Sequence, residues 1–366
     1  MKVQKICIGE NAYNYILIDD DFTPVDQVTK YMKYLTNIGK SLETRHTYCT
    51  GLKFFYEYLS DIGKQVEDIS IYLLSNYVRW LRYGGMKETG MPIRSERTVN
   101  IYMTIAIGYL RNLSLLGVVG DAATTSVFEE VDGRYKHFKD FLYNVSQNKA
   151  FSRNRLKLKV PKGKKHPLEK AQISKLVDST TNVRDRFLLM LLLNTGLRIG
   201  ETLGLHHEDI LQAGDAFKLV VRYRDDNPNQ VYAKTGYREV FITREIIDIY
   251  DDYCFFIEYT IGHVADQVFV KIHGTNKGMP LDKTDVYSLF KRLKAKTGID
   301  VYPHLFRSTY ATTAYASTHN IEFVRDTLGH KSVQTTIDSY VFPSQEQRLE
   351  EWKQAQKKME DAEDGK

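Results

Sequence analysis

The sequence predicts a mainly α-helical protein with a small antiparallel β-sheet, divided into an N-terminal helical domain and a C-terminal α+β domain. Three observations carry this. Apolar residues between position 25 and about position 117 recur at helical spacing. A lysine- and arginine-rich stretch ending in Pro161 and Pro167, with Gly163 between them, then interrupts the pattern as an interdomain linker would. Beyond it, helical segments enclose strand-like residues that end at Ile242. At 366 residues the chain is long enough for two or three domains, each with its own core.

Taken in order, MKVQKICIGENAYNYILIDDD alternates as short strands and runs into acids. It lacks the basic start, apolar block and small-residue site of a signal peptide, so residues 1–24 are expected to be strands of a cytoplasmic protein. In the helical domain, residues 25–119, Tyr48, Leu52, Phe55 and Leu59 mark one helix face, and Val99, Met103, Ala106, Leu110 and Leu113 mark another. Ser41, Thr44, Tyr48 and Thr50 recur in spacing as Ser95, Thr98, Tyr102 and Thr104, which places a serine at each helix N-cap. Residues 120–167 read as an acidic, mixed extension followed by the basic linker.

From residue 168 to 342 the pattern predicts a helix pair over 168–177 and 184–205, then strands over 217–223 and 231–234. A Thr235-Gly236 turn and a partner strand over 237–242 follow. A later helix is capped by Asp282, with Asp285 three residues on, and displays Lys283, Lys291, Arg292 and Lys294. The tail, residues 343–366, carries only a thin stripe of Leu349, Trp352 and Met359 on a charged helix. Such a helix is marginal alone and should dock on something.

Composition narrows the class. Hydrophobic content of 42% and charged content of 27% are ordinary for a globular protein. The longest apolar run, residues 187–193, is far too short to cross a bilayer. Cys7, Cys49 and Cys254 are widely spaced and odd in number, which suggests reduced, buried thiols rather than a disulfide or metal framework. The net charge of +5 is mild, but Arg153, Arg155, Lys157, Lys159, Lys162, Lys164 and Lys165 lie close together with no acid among them. Such a cluster can neutralise several phosphates of a nucleic acid.

Chemistry concentrates in the second half. Attack on a phosphodiester needs a nucleophile, cationic donors on the non-bridging oxygens and an acid for the departing oxygen. Arginine suits the clamp because its charged planar fork grips phosphate in a bidentate manner, so two arginines can do without a metal. Arg198, in NTGLRIGETLGL, precedes Glu201 by three residues, so Glu201 could orient it. His304 and Arg307 in HLFRSTYAT share a helix face, and His330 follows Leu328-Gly329 in LGHKSVQTTIDSY, which ends in Tyr340. The run His206-His207-Glu208-Asp209 is not read as a metal site, because adjacent side chains point apart.

In residue type, order and spacing, TGLRIGE, His304 to Arg307, LGH and Tyr340 resemble the motif blocks of the tyrosine recombinase, or phage integrase, family, as an integrase or a tyrosine-recombinase-type transposase. The third block departs modestly, with Leu305-Phe306 where many relatives carry an acid and leucine. The resemblance implies that residues 168–342 form the α+β catalytic domain and, more weakly, that residues 25–119 form a core-binding, SAM-like domain.

It further implies that Tyr340 attacks the scissile phosphate to give a 3′-phosphotyrosyl link, without metal, ATP or other cofactor. Arg198 and Arg307 would hold the phosphate, His304 and His330 would hydrogen-bond it or assist proton movement, and Lys234 would protonate the leaving oxygen, with Lys218 and Arg238 as nearby alternatives. The expected partners are double-stranded DNA, met by the basic cluster together with Arg45, Lys53 and Arg97; accessory recombination proteins; and three further copies in a tetramer on paired sites, the C-terminal helix docking in trans. A type IB topoisomerase that reseals the original strand, or a DNA-binding architectural protein without chemistry, are the alternatives.

Overall fold

A computed structural model of the chain describes residues 1–9, 12–85, 90–121, 125–131, 151–161, 167–224, 226–233, 236–262, 266–340, 352, 353 and 356. The chain divides into two compact units, Met1–Lys162 and Gly163–Lys366.

The first unit opens with antiparallel strands β1 (Lys2–Gly9) and β2 (Ala12–Ile18), paired from Lys2 opposite Ile18. Helices α1 (Asp26–Asn37), α2 (Leu42–Asp61), α3 (Ile71–Tyr83) and α4 (Glu96–Leu115) follow. The two serine caps form as the spacing predicts. Ser41 Oγ accepts from the Thr44 N–H and Ser95 Oγ from the Thr98 N–H, each at 3.3 Å, satisfying an otherwise orphaned donor of the first turn. Gly51 lets α2 and α4 approach closely, since a Cβ there would lie 2.9 Å from Ile105. Leu17 of β2 joins Leu52, Phe55, Leu59, Val99, Met103 and Leu110 in one core.

Part of the basic segment is docked on the first unit, and the two units divide at its far end, between Lys162 and Gly163. Strands β3 (Phe128–Val131) and β4 (Phe151–Asn154) pair antiparallel, and the chain beyond them lies along the first unit's core. Asn100 of α4 donates to Leu158 O and accepts from Leu158 N, both at 2.8 Å, as a neighbouring strand would. Leu156 and Leu158 pack inward while Arg155, Lys157 and Lys159 are exposed. The alternation that gave a cluster of cations is thus a period-two pattern with one apolar and one basic face. Cys7, expected to be buried, is exposed on β1, whereas Cys49 is buried and Cys254 partly so.

In the second unit α5 (Lys170–Asp178) leads to α6 (Val183–Thr195), whose Phe187, Leu188, Leu189, Leu191 and Leu192 are buried on all sides. It packs against α8 (Arg244–Thr260) and α10 (Pro303–Thr318). The expected helix over 184–205 is two helices. Gly196, at φ +60°, ends α6, and a Cβ there would meet Tyr310 at 2.5 Å, so only glycine fits the break. The chain re-enters helix as α7 (Ile199–Leu203).

Strands β5 (Ile210–Ala213), β6 (Ala216–Val221) and β7 (Arg238–Ile242) form an antiparallel sheet in that order. Residues 231–233 are not a strand, contrary to expectation. The partner of β7 is β6, Phe217 lying opposite Ile242, so the hairpin connection is much longer than a Thr-Gly turn. Helix α9 (Lys283–Thr297) is capped by Asp282, whose carboxylate accepts from the Asp285 N–H at 3.0 Å. After α10 come α11 (Ile321–Leu328) and α12 (Val333–Tyr340). Of the tail, Trp352, Lys353 and Gln356 are helical, the first two exposed and Gln356 partly so; the rest of the expected docking helix, with Leu349 and Met359, lies outside the described residues.

Candidate active site

The break at Gly196 places Arg198 at the N-cap of α7 rather than inside a helix. Glu201, 3% exposed, turns back to it: the Glu201 carboxylate accepts from Arg198 Nη1 and from the Arg198 backbone N–H, both at 2.8 Å. The same carboxylate accepts from Arg238 Nη2 at 2.8 Å and Nη1 at 3.3 Å. Burial alone would raise the pKa of this carboxyl. The Arg238 hydrogen bonds and charge, followed by those of Arg198, overrule it and bring Glu201 down to about 2.

Arg307 is 1% exposed, on α10. A buried guanidinium needs acceptors, and here helix ends supply them. Nη1 donates to Gly196 O at 2.8 Å, just past α6, and Nη2 to Leu328 O at 2.7 Å, the last residue of α11. These are C-terminal carbonyls, which lack intrahelical partners and carry the negative end of the helix dipole. Nη2 also lies 2.9 Å from His330 Nε2.

Because a guanidinium can only donate, that contact fixes His330 Nε2 as acceptor and leaves the proton on Nδ1, 2.8 Å from Thr336 Oγ1. Burial, then the charges of Arg307, Arg198, His304 and Arg238, depress the His330 pKa from 6.5 to about 4. His330 is therefore neutral at pH 7. In this arrangement it braces Arg307 instead of presenting a donor.

Arg198, His304 and Arg307 line one cavity of about 210 Å³ together with Tyr287 and Tyr302. His304 is exposed, and the Arg198 side chain is 31% exposed. A small concave space with two guanidinium groups on its wall can hold a phosphate and stabilise charge developing on its oxygens. Tyr340 is the last residue of α12, one helical turn beyond Thr336; its side chain lies outside the described residues. Lys234 also lies outside them. Its alternatives are engaged elsewhere, Lys218 with Glu239 at 2.9 Å and Arg238 with Glu201.

Arg238, considered from sequence only as an alternative to Lys234, therefore joins the site as the partner of Glu201, and Thr336 joins it without having been assigned from sequence. Arg238 is 37 residues from Glu201, too far for any local pattern to pair them. Thr336 is fully buried in a stretch whose neighbours are mostly exposed, and its place in the TT pair six residues after His330 was the available signal. His206 and His207 bond separately, to Asn227 and Tyr250, while Glu208 and Asp209 both bind Arg224.

The basic residues of the first unit differ in what they do. Arg45 is held within the fold, donating to Lys40 O, Tyr13 O, Asn14 Oδ1 and Thr36 Oγ1 at 2.9 to 3.1 Å. Lys53 is 3.6 Å from Glu57, and Arg155 is 3.4 Å from Glu129. Arg97, Lys157 and Lys159 are exposed. The Arg153 side chain and Lys162, Lys164 and Lys165 lie outside the described residues.

Residues 167–347 match the model of the phage integrase family. Transposase A from transposon Tn554 of Staphylococcus aureus is 34% identical over 359 residues, covering 96% of this chain and 97% of the transposase. Among solved structures, the Tn1549 transposon integrase in complex with a circular intermediate DNA superposes with a TM-score of 0.62 at 16% identity, over 90% of this chain and 99% of that one. The XerH site-specific recombinase bound to its difH substrate gives 0.56 at 20% identity, over 88% and 82%. At those identities the structural likeness shows the fold. With the transposase matched over nearly its whole length and the arginine-lined cavity in place, the chain belongs to the phage integrase family of tyrosine recombinases, enzymes that break and rejoin DNA strands.

Proposed function

We propose that this chain is the transposase of a mobile element, cutting double-stranded DNA with Tyr340 and exchanging strands through a 3′-phosphotyrosyl intermediate. The carrying observation is the cavity on which Arg198, His304 and Arg307 converge, with Glu201 and His330 bracing the two arginines. The Tyr340 oxygen attacks phosphorus, the bond from phosphorus to the 5′ oxygen breaks, and the phenolic proton is released. The departing oxygen gains a proton from Lys234. One phosphodiester replaces another, so the 5′-hydroxyl of a partner strand can reverse the step without ATP. Arg198 and Arg307 bind the non-bridging oxygens, and His304, exposed at the rim, hydrogen-bonds the phosphate.

A phenol titrates near pH ~10, so attack at neutral pH relies on the cationic clamp to favour the phenolate. The exposed basic face of Arg155, Lys157 and Lys159, with Arg97, meets the DNA backbone. Four copies act on paired sites inside the cell, each tail around Trp352 docking on a neighbour, a head-to-tail exchange that closes into a ring. Similarity to a transposase along nearly the whole chain supports strand exchange over simple resealing.

A nicked suicide duplex bearing the element's end tests the reading. The unaltered chain should give a covalent protein–DNA band, and Tyr340→Phe should bind the duplex and give none. A band from Tyr340→Phe would sink the assignment of the nucleophile.

A further inference from the structure

We propose that Arg238 is a positioning residue of the cleavage reaction: it fixes the Glu201 carboxylate that holds Arg198 at the scissile phosphate, and it locks strand β7 to the end of α11 that carries His330. This rests on Arg198 and His330 acting as read above.

The geometry is that of a strut. Arg238 is the first residue of β7, and its side chain is 9% exposed. Its Nη groups grip both Glu201 oxygens, and its Nε donates to Thr327 O at 3.0 Å. Thr327 immediately precedes Leu328, whose carbonyl receives Arg307. One guanidinium thereby reaches three segments: the strand, the Glu201 helix, and the helix end beneath both Arg307 and His330.

The chain makes room for it. Gly329 lies at φ +65°, and a Cβ there would stand 3.0 to 3.2 Å from the Arg238 side chain. The glycine of LGH therefore serves two ends, the left-handed turn and the passage of this guanidinium. Arg238 is not among the residues lining the cavity, so it acts through Glu201 rather than on the phosphate. A lysine could neutralise Glu201 but could not bond the carboxylate and Thr327 O together, because it lacks the planar fork. A buried ion pair is weak evidence of a purely stabilising role, since apolar packing commonly does as well. Its position between two catalytic elements favours orientation.

The test measures DNA affinity and single-turnover adduct formation on the nicked duplex for the full chain and for Arg238→Gln, Arg238→Lys, Glu201→Gln and the Arg238→Gln/Glu201→Gln double variant. Arg238→Gln should slow adduct formation about 100-fold, as a misplacement of about 1 Å does, with DNA affinity within about threefold of the unaltered chain. Arg238→Lys should fall between, about tenfold slow. The double variant should be no slower than the slower single one, because the two residues act as a unit.

Unaltered rates in both Arg238 variants, a parallel loss of DNA affinity, or multiplicative losses in the double variant would each overturn the proposal. Should the glutamine variant not fold, the lysine variant decides alone: slow adduct formation at unaltered affinity supports the strut, and an unaltered rate refutes it. Tyr340→Phe in the same assay separates the two levels. An adduct from that variant unseats the active-site reading itself, whereas a silent Tyr340→Phe beside fully active Arg238 variants unseats only Arg238.

Discussion

In the first unit the polar atoms inside the core are largely tyrosine hydroxyls; around the arginine-lined cavity of the second they are guanidinium, carboxylate and imidazole groups. Tyr56 and Tyr109 share a hydrogen bond of 2.7 Å, and Tyr58 donates to Leu73 O at 2.8 Å. These are neutral groups bonded between helices of one bundle, and burial pushes Tyr56 and Tyr58 up to about 12, so they stay neutral. Around Arg307 and Glu201 the buried groups are charged, which costs desolvation unless several partners surround them. Hydroxyl pairs let helices pack. Charges inside a core are justified by what they hold, and here they hold the wall of the cavity.

The contrast predicts that substitutions inside the two units differ in consequence. Arg307→Ala should have the largest effect, slowing adduct formation about 100- to 1000-fold, as loss of a transition-state donor does. It also strands Gly196 O and Leu328 O, so the melting temperature should drop; single-turnover kinetics beside thermal melts would show both. An active Arg307→Ala chain would break the comparison.

Gly196→Ala comes next. The left-handed backbone and the overlap with Tyr310 and Leu328 should cost about 2 kcal/mol, read from denaturant midpoints, and adduct formation should slow because Arg198 lies two residues on and the carbonyl of Gly196 itself accepts from Arg307.

Acid and alkali should then discriminate between the units. The depressed pKa of His330 contributes stability that is present above pH 6.5 and lost as pH falls through about 4. The raised values of Tyr56 and Tyr58 contribute stability that is present below pH 10 and lost as pH rises through about 12. Melts across pH 7 to 4 should therefore flatten in His330→Gln, while the alkaline limb stays as it was. The smallest effect is expected from Tyr56→Phe, which strips Tyr109 of a partner. It should cost about 1 kcal/mol and leave the adduct rate unchanged; a slowed rate would show that the first unit's core reports to the cavity.

The same division separates what is legible in the chain from what is not. Ser41, Ser95 and Asp282 announce their helices because a cap and its N–H lie three residues apart. The Arg198–Glu201 pair is local in the same way. The extra strand expected over 231–234 failed because β-propensity says nothing about which strand is the partner, and β6 was the better one. The basic stretch read as a linker contains a strap whose alternation is visible in sequence, yet its docking on Asn100 is not, since that residue is 58 positions away.

The sequence by itself determined most of the helices, their caps and the identity of the groups suited to phosphate, because these depend on backbone preferences and side-chain chemistry within a turn or two. Only the tertiary structure decided that Arg307 would rest on two helix ends, that His330 would be neutral, and that Glu201 would be shared with Arg238. Those outcomes depend on which groups a buried charge meets once water is gone. Such partners come from segments up to 111 residues apart, brought together by packing that no local pattern encodes.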